Sequence, residues 1–292
     1  MIWKRRIALF FVAALVTVFT VSKFKGRDVS WEPQHQKKSE STEKKEFDRF
    51  VVMIDPGHGG SQPGAQAVYD QGIISEKNIN LKIAQSLKKA LERYPETEVY
   101  MTRDSDKTVG LEERVEQAKK HHAYLFVSVH NNAKGKMSEY DRGCTVITSS
   151  GNYRTSFAQE DQELACCILS ELESLGLTDQ GILLRTSETG AKYPNGKLCD
   201  YYNVVKNSLI SGIHGIIVEH SFLDNPQDYQ EFLSTDEKLK ALGEADALGI
   251  AKYYGLGEEK NVLSDLTEQI TLVTNGEKGI KKKYRKKFFT KK

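Results

Sequence analysis

The chain has 292 residues, of which 39% are hydrophobic and 28% charged. That is the composition of an ordinary soluble globular protein, with room for one sizeable α/β domain and appendages, and it sets aside a wholly disordered chain. The net charge of +2 is unevenly spread: residues 1–49 carry 11 Lys/Arg against 6 Asp/Glu and residues 257–292 carry 10 against 5, which leaves −8 on residues 50–256. An acidic body lies between two basic ends, and the ends are the parts suited to anionic surfaces.

At the N-terminus Lys4, Arg5 and Arg6 precede an apolar run over 7–21, after which Lys23, Lys25 and Arg27 restore the positive charge. Basic residues ahead of a short hydrophobic stretch follow the plan of an export signal. No small-x-small cleavage pattern follows, and the run is shorter than the ~20 residues of a full membrane span. Residues 1–24 therefore read as an uncleaved signal anchor, with a cleaved signal peptide as the alternative, and the protein is expected outside the cytoplasm, membrane-anchored or secreted. Residues 25–49 are polar with hardly any apolar periodicity and read as a flexible linker.

From Phe50 the pattern changes. Strands are expected at 51–55, 98–103, 123–130, 144–148, 182–186 and 215–220, and helices at 77–94, 111–120, 157–175 and 235–254. The first helix carries Ile79, Ile83, Leu87, Ala90 and Leu91 on one stripe, with Ser75 placed to cap it. Strands alternating with helices predict an α/β domain over 50–256, a mostly parallel sheet covered on both faces, with ligands at the carboxyl ends of the strands. No G-x-G-x-x-G and no phosphate-binding glycine loop occurs. Residues 257–292 are expected as a basic tail: lysines and arginines surround Tyr284, Phe288 and Phe289 in a segment that is either solvated and disordered or held against lipid headgroups or an acidic wall polymer. Nucleic acid is not expected as a partner, because export removes the protein from it.

Four cysteines, Cys144, Cys166, Cys167 and Cys199, contain no C-x-x-C, which argues against a cysteine zinc site. Buried free thiols are expected, with room for one disulfide. The metal-competent groups lie elsewhere. His58 follows the first strand in "VVMIDPGHGG", His130 ends the run "AYLFVSVH", and Glu219 sits at the end of "GIIVE", where an unpartnered carboxylate is costly. Glu76 opens the helix that returns from the same rim. Two neutral imidazoles and a carboxylate make a three-ligand zinc site with a fourth position for water, and a further carboxylate beside it can shuttle the proton. The glycines around His58 are expected to let a bulky substrate approach. The remaining histidines read as non-ligands, and the absence of H-E-x-x-H argues against a thermolysin-like protease.

Five collinear stretches carry a resemblance: "IDPGHGG" followed by "PGA", "SEKNINLKIAQSLKKAL", "TRDSD" with "LEERVEQA", "FVSVHNNA", and "GIIVEHSFLDNPQD". In this order, over about residues 51–254, the chain resembles the zinc-dependent N-acetylmuramoyl-L-alanine amidases of type 3. The resemblance implies a single catalytic domain with a central, mostly parallel sheet of about six strands, and Zn²⁺ as cofactor. It implies hydrolysis of the amide between the lactyl group of N-acetylmuramic acid and the L-alanine of the peptidoglycan stem. It implies His58, Glu76 and His130 as zinc ligands and Glu219 as the catalytic glutamate, general base and then general acid. The sequence "EHSFLDN" departs from the family pattern, in which threonine or alanine with glycine follows the glutamate; the segment 134–142 is short and covers the site partly at most. Two further readings keep the fold: a zinc peptidase acting on stem peptides, and a wall-binding regulator without turnover.

Overall fold

The computed structural model describes residues 49–257 in full, and the backbone of 262–274 and 277–290. The chain opens with strand β1 (Phe50–Pro56), a short hairpin of β2 (Gln66–Tyr69) and β3 (Gly72–Ser75), helix α1 (Glu76–Leu91) and strand β4 (Thr97–Met101). Helix α2 (Leu111–Lys120), strands β5 (Leu125–Asn132) and β6 (Cys144–Ile147), helix α3 (Thr155–Ser174) and strand β7 (Asp179–Leu184) follow. Then come α4 (Asn203–Ser211), β8 (His214–Phe222), a single turn α5 (Pro226–Asp228) running into a π-helical turn over Tyr229–Leu233, α6 (Asp236–Tyr254), β9 (Val262–Thr274) and β10 (Glu277–Thr290).

The central sheet has the order β7-β6-β8-β5-β1-β4, with β9 and then β10 continuing it at the β7 edge. Strands β4, β1, β5 and β8 are mutually parallel, β6 is antiparallel to β8, and β7 is parallel to β6. All six expected strands are therefore present in one mostly parallel sheet. The middle strands are apolar along almost their whole length because both faces are covered. On one face Val52, Ile54, Val127, Val129, Ile216 and Val218 join α1, α3 and α6 in the main core. On the other, Met53, Phe126, Ile147 and Ile217 pack with Val115 of α2 and Val204 and Val205 of α4.

The helices begin and end where local chemistry directs. In α6 the Thr235 side chain accepts from the Lys238 amide, and Gly255 ends the helix in the left-handed region. Ser75 occupies the N-cap position of α1, but its hydroxyl accepts from Gln66 Nε2 instead of capping the first turn. All four cysteines are free and buried. Some elements lie outside the expected set, the β2–β3 hairpin and α4 among them. Helix α4 spans only nine residues, too short a run to display a repeating stripe. Where the sequence reading expects a solvated tail, 262–274 and 277–290 pair as antiparallel strands, and β9 pairs in parallel with β7. The β-branched and apolar residues of β9, and the dipeptide Asn275-Gly276 between the strands, are the signals that favour a hairpin. The expected signal segment and most of the linker, residues 1–48, lie outside the described residues. Among the described residues no helix is long and apolar enough to cross a membrane.

Candidate metal centre

Parallel pairing brings the ends of β1, β5 and β8 to one rim. Asp55 and Pro56 pair with Ser128 and Val129, and His130 pairs with Glu219. His58 lies two residues beyond β1 with φ 62°, a left-handed conformation that is uncommon outside glycine and turns its side chain back over the rim. Glu76, the first residue of α1, lies between the two imidazoles: Oε2 is 3.0 Å from His58 Nε2 and Oε1 is 2.9 Å from His130 Nδ1. One ligand atom from each of these three residues falls within 4.8 Å of the others, and among the described residues no other such group of three occurs. The carboxylate side chain is 4% exposed while the rings of His58 and His130 are 32% and 22% exposed, so the group is closed behind and open in front.

Glu76 is held in place from behind. Its Oε2 accepts from the Ala65 amide at 2.9 Å, and its Oε1 accepts from Asn80 Nδ2 at 3.0 Å and from the Asn131 amide at 3.2 Å. Asn131 Nδ2 in turn donates to Asn80 Oδ1 at 2.9 Å. Burial pulls the Glu76 carboxyl upward, but hydrogen bonds from His130 and His58 and their charges outweigh it and hold the group well below its ordinary value. For His130 burial pulls downward, and the hydrogen bond and charge of Glu76 reverse it, raising the imidazole to about 9. Two nitrogen donors and one anionic oxygen, preoriented by amides and open on one side, fit a zinc ion with a vacant position.

Glu219 completes the cluster without touching a partner. Its Oε2 is closed off from solvent and makes no hydrogen bond. Burial raises its carboxyl to about 7, against the pull of His130, while the neighbouring Glu76 charge adds to the rise. A carboxyl that changes charge near neutrality beside a metal-competent group suits proton transfer.

The sequence pattern of the family described as N-acetylmuramoyl-L-alanine amidase matches residues 52–252. The chain belongs to this family. It is similar to an endolysin of Bacillus phage SPP1, 32% identical over 206 residues covering 70% of this chain and 66% of the endolysin. It is also similar to the N-acetylmuramoyl-L-alanine amidase AmiC of Escherichia coli O6:H1, 28% identical over 232 residues covering 71% of this chain and 54% of AmiC. Among solved structures, an N-acetylmuramoyl-L-alanine amidase from Clostridium difficile 630 superposes with a TM-score of 0.57 at 25% identity, covering 71% of this chain and 98% of that one. The chain thus spans under two thirds of the curated relatives named here and nearly all of the solved catalytic fold.

The glycines of the D-P-G-H-G-G motif and of the P-G-A that follows make room for the protein itself. A Cβ on Gly57 would stand 2.3 Å from His130 Nε2, and one on Gly64 would stand 2.5 Å from Glu76 Oε2 and 2.6 Å from His58 Cδ2. Gly59 and Gly60 are pressed in the same way against Lys107 and Thr108. Close packing of the site alone requires glycine at these positions.

The other described histidines stay out of the cluster, as expected. His220 is fully buried and turned to the far side of β8, with Nδ1 donating to the His130 carbonyl at 3.0 Å and Nε2 2.8 Å from Asp246 Oδ2. His214 pairs with Asp161, and His121 stacks on Tyr100. The segment 134–142 is fastened to 224–225: the Lys134 and Lys136 amides donate to Asp224 Oδ2, and Asn225 Nδ2 donates to the Asp141 carbonyl. Asp55, Asn80, Arg103, Arg114 and Asn131 also support the site, though the sequence does not single them out. Asp55 carries the signal that singled out Glu219, an acid at the end of an apolar strand.

Proposed function

We propose that this protein cleaves peptidoglycan at the amide between the N-acetylmuramic acid lactyl group and the L-alanine of the stem peptide. The observation that carries the proposal is Glu219, a buried carboxylate with an unpartnered oxygen beside the His58–Glu76–His130 group, in a chain of the amidase family. In this reading His58, Glu76 and His130 hold Zn²⁺, whose chemistry is Lewis acidity towards the scissile carbonyl and activation of water near neutral pH. The Glu219 carboxylate would take the proton from the attacking water and return it to the leaving nitrogen, so that it acts first as base and then as acid. Asn80, Asn131 and the Ala65 amide keep Glu76 from turning with the reaction, because each holds one of its oxygens from the closed side.

The appendages are assigned with the same activity. Residues 1–24 act as a signal anchor or a cleaved signal that carries domain 50–256 to the wall on the linker 25–49. The basic segment 257–292 adheres to an anionic wall polymer or to lipid headgroups, supported by its 10 Lys/Arg against 5 Asp/Glu. Digestion of defined muropeptides tests the activity: an amidase frees stems that begin with L-alanine, whereas a stem peptidase cuts within the stem.

A further inference from the structure

Two of the family stretches, "TRDSD" and "LEERVEQA", contribute nothing to the chemistry proposed above, yet each sends one arginine beneath the loop that carries His58. Arg103 is 1% exposed and Arg114 is 2% exposed. Their hydrogen bonds run almost entirely to main-chain carbonyls. Arg103 Nε donates to Pro56 at 2.9 Å, Nη1 to Ser105 at 3.2 Å, and Nη2 to both Gly57 at 2.9 Å and Lys77 at 2.8 Å. Arg114 Nη1 donates to the Pro56 carbonyl at 3.0 Å and Nη2 to the His58 carbonyl at 2.9 Å, while Nε and Nη2 both reach Val109. Three consecutive carbonyls, 56 to 58, are thus taken up by two guanidinium groups.

The counter-charge in contact with Arg114 is Asp55, buried in the same layer. Arg114 Nη1 and Thr102 Oγ1 donate to its Oδ1 at 2.6 Å each, and Ser128 Oγ donates to Oδ2 at 2.7 Å. Arg103 has no carboxylate within bonding distance. Burial, with Arg114 beside it, lowers the Arg103 guanidinium below its ordinary value. Burying two cations against one anion is expensive, and apolar side chains fill a core at less cost. The arginines supply what an apolar filler lacks: forked donors for a turn whose carbonyls have no strand partner, since His58 leaves the ladder in a left-handed conformation.

One atom joins the two halves of the site. Arg103 Nη2 bridges the carbonyl of Gly57, which precedes His58, and that of Lys77, which follows Glu76. We infer that Arg103 and Arg114 are positioning residues that fix His58 and Glu76 at ligand spacing before any metal arrives. The inference rests on the proposed metal role of those two residues and goes beyond it, because it gives the geometry of the site to the guanidinium clamp and not to the ion.

Zinc titration in chelator-buffered solution tests it with R103K, R114K and, as a reference for simple destabilisation, I250V in the core of α6. Lysine keeps the charge and loses the fork. Both lysine variants should bind zinc about ten- to a hundredfold more weakly, the usual effect of losing a group that orients a ligand; I250V should bind as the wild type does at an equal loss of Tm. Wild-type affinity in both lysine variants, or a loss matched by I250V, overturns the inference. Should the lysine variants not fold, amide hydrogen exchange of the metal-free wild type decides. The amides of Gly57, Gly59 and Gly60, bonded to Val129, Gln62 and Asp106, should exchange slowly without zinc. Exchange as fast as in the exposed 104–107 loop, slowed only by zinc, means that the ion builds the loop and overturns the clamp. A wild type that binds no zinc at all defeats the metal assignment itself, whereas tight wild-type binding with unaffected lysine variants defeats only the clamp.

Discussion

His130 and Glu219 stand opposite one another as register partners on the parallel strands β5 and β8, and the ladder shifts between His130 and Asn132. Both side chains therefore leave the sheet at one level and on one face, just where the pairing loosens. The register of two strands, set by their apolar cores, fixes which acid meets which imidazole.

Replacing Glu219 with glutamine separates proton transfer from metal binding. Activity should fall by about 10²–10⁴-fold, the contribution typical of a positioned acid–base group, with zinc content unchanged. Stability should move the other way. Glu219 is raised from 4.5 to about 7, so between those values the folded state holds more protons than the unfolded one, and metal-free stability declines as pH rises. Glu219→Gln should therefore raise the Tm of the metal-free protein more at pH 8 than at pH 5; a gain that is equal or larger at pH 5 contradicts the burial cost assigned to this carboxyl.

Zinc binding should depend on pH through His130. Its imidazole, raised to about 9 by Glu76, carries a proton through neutrality in the metal-free protein, and a metal ion has to displace it. One displaced proton makes apparent zinc affinity climb about tenfold per pH unit between pH 6 and 8. Calorimetry in buffers of different ionisation enthalpy should show the released proton. An affinity that is flat across this range rules out the protonated His130–Glu76 pair.

Gly57→Ala is a steric test of the site. The added carbon would fall 2.2 Å from His130 Cε1 and 2.3 Å from Nε2, too close for the ring to stay. Zinc affinity should drop at least as far as in the arginine variants while far-UV circular dichroism keeps its native form. Unchanged metal binding would show that the ring has another place to go.

Asp246→Ala removes the partner of a histidine that is itself fully buried. Loss of one member of such a pair costs about 3 kcal/mol. Urea unfolding should record that loss. A change under about 0.5 kcal/mol, within the range of ordinary surface substitutions, would mean that His220 and Asp246 are not coupled.

The frame of the fold was legible in the sequence because its strands are apolar runs and its helices keep a 3.6-residue stripe, as Ile79, Ile83, Leu87 and Leu91 do in α1. His130 and Glu219 were legible for the same reason, as polar residues delivered by apolar strands. Glu76 was not. A glutamate in the first turn of an exposed-looking helix has many ordinary uses, and its burial depends on Gly64 and on the Ala65 amide, which folding brings to it. Arg103 and Arg114 were hidden more deeply, since charged residues near a turn and on a helix normally face water. The β2–β3 hairpin was missed because Asp70-Gln71 between its strands carries no glycine turn signal. The packing role of the glycines was not legible in the sequence, because their crowding comes from residues far along the chain.

The most direct measurement is mass spectrometry of a defined muropeptide digested by the purified protein, first as prepared, then after chelation, then with zinc restored. Release of stems with a free N-terminal L-alanine, abolished by the chelator and recovered with zinc, is the predicted result. Cleavage elsewhere in the stem, or full cleavage by protein stripped of metal, would contradict it.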